Sequence, residues 1–92
     1  MLGRRINELR IAMGWSQVQL AEKLRISKQT VSNWENENIQ PSIEMLVRIA
    51  KLFHVSTDYL LGLDHAQTVN VDGLPKPFIA HITQIIEDYK QK

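Results

Sequence analysis

Four serines, at positions 16, 27, 42 and 56, each stand directly before a short run with helical spacing, and together they cut most of this 92-residue chain into short helices. A serine hydroxyl in this position accepts a hydrogen bond from a backbone N–H of the first turn, which favours starting a helix there. Three of the four serines follow an apolar residue able to close onto a partner inside the helix: Trp15 onto Leu20, Ile26 onto Val31, and Val55 onto Leu60. Gln19 stands three residues after Ser16, the spacing of a reciprocal capping box. Pro41 closes the polar stretch before Ser42. The same local chemistry repeated four times specifies an all-α chain.

The remaining segments fill in around these starts. Leu2, Ile6, Leu9 and Met13 recur at spacings of four, three and four, one face of a first helix, and Gly14 is placed to end it in a left-handed conformation. A second helix is expected over Gln17–Leu24 and a third from Lys28 to Glu35. Two short helices so closely joined must cross steeply, the helix-turn-helix arrangement. After polar residues 36–40, a fourth helix should run from Ile43 to Phe53, with Ile43, Met45, Leu46, Ile49, Ala50, Leu52 and Phe53 mostly buried. A short fifth helix should stop near Gly62. Residues 64–74 lack a helical period and read as a linker or arm. Pro75 and Pro77 then fit the first turn of a sixth helix over 75–92, where a missing N–H costs little. The expected division is therefore a helix-turn-helix domain over 1–63, a linker or arm over 64–74 and a C-terminal helix over 75–92.

Composition narrows the function. There is no cysteine, which excludes disulfides and thiolate metal sites. No apolar run approaches the roughly 18 residues of a membrane span. Met1–Arg5 leads straight into periodic sequence, so no signal peptide is expected and the expectation is a soluble, cytoplasmic protein. Formal charge is only +1, but residues 1–35 carry six Lys/Arg against three Glu, while residues 36–63 and 64–92 are each at −1. A basic N-terminal third suits a polyanionic partner. His54, His65 and His81 match no metal-ligand spacing, and no nucleophile–base order or glycine-rich phosphate loop is present, so neither metal, cofactor, small-molecule ligand nor enzymatic activity is expected.

With Val31 and Trp34 inward, helical spacing turns Lys28, Gln29, Ser32 and Asn33 outward. A row of Lys, Gln, Ser and Asn is by itself equally a solvated face. It is also the set that reads the major groove, since Gln and Asn pair with adenine and Lys with guanine. The preceding helix adds weight: its N-terminus at Ser16 and Gln17 presents free amides to a phosphate, and small Ala21 permits a close crossing.

The stretch Arg10–Leu24, followed by Ser27–Asn36, by Pro41-Ser42, by Leu46, Ile49 and Ala50, and by Val55-Ser56 with Asp58–Gly62, resembles the Cro/CI-type (XRE family) helix-turn-helix regulators. The resemblance spans about residues 3–62. It implies a five-helix lambda-repressor-like domain and sequence-specific binding of double-stranded DNA as a transcriptional regulator, expected to be a repressor. It implies base contacts from Lys28, Gln29 and Asn33, with Ser32 secondary, and phosphate contacts from Gln17, Ser16, Asn36 and Arg10. Arg10 and Glu35 correspond to a pair tying the first helix to the end of the third. Two positions depart from the family: Arg25 stands where glycine is usual in the turn, and the loop after the third helix reads Glu35-Asn36-Glu37-Asn38-Ile39. On the sixth helix, Phe78, Ile79, Ile82, Ile86 and Tyr89 form a stripe expected to pair with a second copy, giving a homodimer. The competing expectation is an antitoxin or accessory module whose last helix binds a different protein.

Overall fold

The computed structural model describes residues 1–63 and 71–90. Among them are six helices: α1 Leu2–Ala12, α2 Gln17–Leu24, α3 Lys28–Glu35, α4 Ile43–Phe53, α5 Thr57–Leu61 and α6 Lys76–Lys90. Of the expected linker, 64–70 lies outside the described residues, as does His65.

All four serines cap as their chemistry requires. The hydroxyls of Ser16, Ser27, Ser42 and Ser56 accept from the backbone N–H of Gln19, Thr30, Met45 and Tyr59. At Ser16 the box is complete, with Ser16 N–H donating back to Gln19 Oε1 at 2.8 Å.

The helix ends follow a second repeated device. A left-handed residue follows each of the first five helices: Gly14, Arg25, Glu37, His54 and Gly62, with φ between 57° and 77°. In each case the next N–H reaches back to a carbonyl five residues earlier: Trp15 to Arg10, Ile26 to Ala21, Asn38 to Asn33, Val55 to Ala50, and Leu63 to Asp58. This arrangement satisfies carbonyls that would otherwise be left open at a helix end. Trp15, Ile26 and Val55 thus close one helix and pack into or against the shared core just before the next begins, which is why the connections are so short.

The core draws on each of α1 to α5. Ile6, Leu20, Val31, Ile49 and Leu60 are fully enclosed, and Leu2, Ala21, Leu24, Trp34, Ala50, Phe53 and Val55 complete the buried cluster. Trp15 stacks obliquely on Phe53 at 5.6 Å between ring centroids. α4 corrects one expectation. Ile43 is 82% exposed, because it is the first residue of the helix and no described residue covers it, while Met45, Leu46 and Leu52 are half-buried at the edge of the core. α6 has no buried residue.

Candidate nucleic-acid interface

α2 and α3 share their inner faces: Leu20, Ala21 and Leu24 of one and Val31 and Trp34 of the other lie in the same buried cluster. Ala21, 3% exposed, lies inside this cluster. With Val31 and Trp34 inside, Lys28, Gln29, Ser32 and Asn33 are turned outward. Lys28 and Gln29 are exposed, and Ser32 and Asn33 are half-exposed. The row is internally bonded. Gln29 Nε2 donates to Asn33 Oδ1 at 3.0 Å, and Asn36 Nδ2 donates to Ser32 Oγ at 3.3 Å. Asn36, directly after α3, is exposed.

The N-terminus of α2 is exposed at Ser16, whose oxygen is held by the Gln19 N–H. Gln17 turns the other way: its Nε2 donates to Glu35 Oε1 at 3.2 Å. Glu35 is the meeting point of three helices. Its carboxylate, 4% exposed, also accepts from Asn7 Nδ2 at 2.8 Å and from Arg10 Nε and Nη2 at 2.7 and 3.0 Å. Burial acts to raise the Glu35 carboxyl, but the hydrogen bonds from Arg10, Asn7 and Gln17 and the Arg10 charge outweigh it and hold the group below the usual carboxylate range. Arg10 is held above its ordinary value, first by its hydrogen bond to Glu35, with burial opposing. Its Nη1 donates to the Trp15 carbonyl at 2.7 Å, so three of its five N–H groups are engaged inside the domain.

A short helix with a polar outward face, exposed at Lys28 and Gln29 among the described residues and braced behind by a second helix, is the geometry of a groove reader. The helix-turn-helix family model matches residues 6–60. The chain belongs to the helix-turn-helix family. Among its relatives, the transcriptional regulator ImmR of Bacillus subtilis (strain 168) is 37% identical over 87 residues, which is 95% of this chain and 68% of ImmR. Of solved structures, the c2 repressor of Salmonella phage P22, in complex with a synthetic operator, is 31% identical with a TM-score of 0.65. That match covers 70% of this chain and 97% of the other. A SinR/SinI complex, whose SinR is a Bacillus subtilis regulator, matches with 25% identity and a TM-score of 0.63 over the whole of both chains.

The helix-turn-helix unit is braced by residues the sequence reading did not single out. Gly3 lets α1 lie against the end of α3: a Cβ there would stand 2.2 Å from the Trp34 carbonyl oxygen. Arg48 donates to the Leu24 carbonyl at the end of α2. Arg5 donates to the Tyr59 carbonyl at 2.8 Å and lies 4.3 Å from the centre of the Tyr59 ring. Lys23 sits 4.5 Å from the Trp15 ring centre. These basic residues are engaged with the fold. Glu37 accepts from the Met1 amino group and the Gly3 N–H; the first of these, by hydrogen bond and by charge, holds its carboxyl below the usual range.

Proposed function

We propose that this chain is a sequence-specific transcriptional regulator, a repressor, that acts in the cytoplasm and binds double-stranded DNA as a homodimer. The observation that carries the reading is the outward face of α3, where four polar side chains stand on a helix anchored from behind by Val31 and Trp34 in the core and by Glu35 in its ion pair with Arg10. The B-DNA major groove, about 12 Å wide, admits such a helix. Lys28, Gln29, Asn33 and Ser32 then address base edges. Ser16 at the head of α2, the one Gln17 amide N–H not given to Glu35, and Asn36 beyond α3 address phosphates. Arg10 acts first as the brace of Glu35, and its two remaining N–H groups are what it offers a phosphate. Residues 1–63 form the DNA-binding domain, 64–74 the linker and 75–92 the dimerisation helix.

Two-fold pairing is supported by α6. Phe78, Ile86 and Tyr89 are 61%, 43% and 79% exposed, and Ile79 and Ile82 are half-buried. An apolar stripe of this size calls for a cover. Pairing it with a second copy presents two α3 helices to half-sites one DNA turn apart, about 34–36 Å. The match to the SinR/SinI complex, which extends over α6, favours a second reading in which that helix meets a different protein.

The test is fluorescence anisotropy of a duplex selected from random DNA, titrated with protein across a salt series, with light scattering on the same samples. Expected are a dimer and an affinity that falls steeply with salt, each phosphate contact adding roughly 0.9 to the logarithmic slope. A monomer without affinity for DNA at low salt overturns the regulator reading. A monomer that binds half-sites overturns only the pairing.

A further inference from the structure

The Gln29–Asn33 hydrogen bond has a chemical direction. Gln29 Nε2 is the donor and Asn33 Oδ1 the acceptor. An amide group has two N–H donors and one carbonyl acceptor. Having given one hydrogen to Asn33, Gln29 keeps its carbonyl oxygen and one N–H, an acceptor beside a donor. That pair complements adenine, which shows a donor at N6 and an acceptor at N7 in the major groove. Asn33, its oxygen engaged, turns two N–H donors to the groove, and donors match thymine O4 or guanine O6 and N7. Four residues advance about 6 Å along a helix, against 3.4 Å per base pair, so the two amides fall on pairs no more than two apart.

We propose that Gln29 and Asn33 form one preassembled reader, in which the bond between them fixes the Gln29 amide for adenine and leaves Asn33 to select an acceptor-bearing base within the next two pairs. This rests on α3 entering the major groove. It adds that the two residues do not choose bases independently: Asn33 orients Gln29 as well as reading for itself. Both orderings are made before DNA arrives, because the bond is present in the free protein. Ser32 and Asn36 are bonded to each other, and neither is bonded to this pair.

The test is the set of sequences selected from random duplexes by the full chain, by Gln29→Ala, Asn33→Ala and Asn33→Asp, and by the double variant Gln29→Ala with Asn33→Ala, with anisotropy on the preferred site. The Asn33 side chain is half-exposed, and the bonds from Asn38 and Ile39 go to its backbone carbonyl, so these variants fold; circular dichroism checks it. Gln29→Ala is expected to erase the adenine preference and weaken binding roughly tenfold. Asn33→Ala is expected to flatten both positions, and the double variant to weaken binding by less than the product of the single effects. Asn33→Asp keeps the oxygen that receives the Gln29 hydrogen but has no donor. It should retain adenine at the Gln29 position and lose the preference at its own, with a uniform loss of affinity from its charge. If Asn33→Ala flattens only its own position, the two amides read separately and the coupling is wrong, while groove reading by α3 stands. If no variant changes the preference at any position, α3 is not the reader and both proposals fall.

Discussion

Replacing Glu35 by glutamine removes one charge and almost no volume, and the geometry around it sets the cost. Four N–H donors from Asn7, Arg10 and Gln17 converge on two carboxylate oxygens. Glutamine supplies one oxygen and an NH2 group that faces donors, and leaves an Arg10 guanidinium, 13% exposed, without its counter-ion. Breaking a buried ion pair from one side costs about 3–5 kcal/mol, whereas exposed pairs contribute 0–1 kcal/mol. Exposures of 13% and 4% put this pair in the first class. For a domain of this size 1 kcal/mol moves Tm by about 4–8 °C, so a drop of roughly 12 °C or more is expected. Thermal and urea unfolding followed by circular dichroism measure it. Glu8→Gln is the control, since the Arg4–Glu8 pair is 82% and 53% exposed and should shift stability by less than about 1 kcal/mol. The pH dependence has a definite sign. Because the Glu35 carboxyl is held below its unfolded value, its contribution is present above the ordinary carboxyl range near pH 4.3 and is lost as pH falls through the lowered native value. Wild type should lose stability on acidification over that window, and Glu35→Gln should lose less. A Glu35→Gln variant as stable as Glu8→Gln, with an unaltered acid transition, refutes the bracing role.

Three further outcomes are expected from the same unfolding measurements. Gly3→Ala should destabilise by about 1–3 kcal/mol although alanine is the better helix former, because its methyl meets the Trp34 carbonyl at 2.2 Å; a rise in Tm contradicts that close approach. Arg25→Gly should leave stability unchanged or raise it by up to about 1 kcal/mol, since φ of 58° strains a side chain but not glycine; a clear loss would show that the arginine holds the turn. Ala21→Leu should cost about 1–3 kcal/mol by forcing α2 from α3, and an unchanged Tm would mean that the crossing tolerates bulk.

What the sequence makes legible is what depends on neighbours in the chain. Ser16, Ser27, Ser42 and Ser56 bond to residues three positions on, so each helix start can be read from a handful of letters. Val31 and Trp34 fix the phase of α3, and the exposed row follows from helical geometry alone. The helix ends are less legible. Gly14 and Gly62 announce a left-handed residue, but Glu37 and His54 adopt the same conformation with no such mark, held by bonds formed only once the helix exists. Long-range contacts are least legible. The Arg10–Glu35 pairing follows from resemblance, yet its extension to Asn7 and Gln17 needs three helices in place, and the demand for glycine at position 3 comes from a carbonyl 31 residues away. Ile43 misleads in the opposite sense: its spacing fits the covered face, but the covering stops short of it.

The central claim is that α3 enters the major groove, and methylation interference on a selected duplex tests it most directly. Dimethyl sulfate methylates guanine at N7, in the major groove, and adenine at N3, in the minor groove. Expected is loss of binding from methylation at guanine N7 in two clusters about one helical turn apart, with adenine N3 methylation tolerated between them. Interference confined to adenine N3, or none at guanine N7 anywhere in the bound site, would contradict the account.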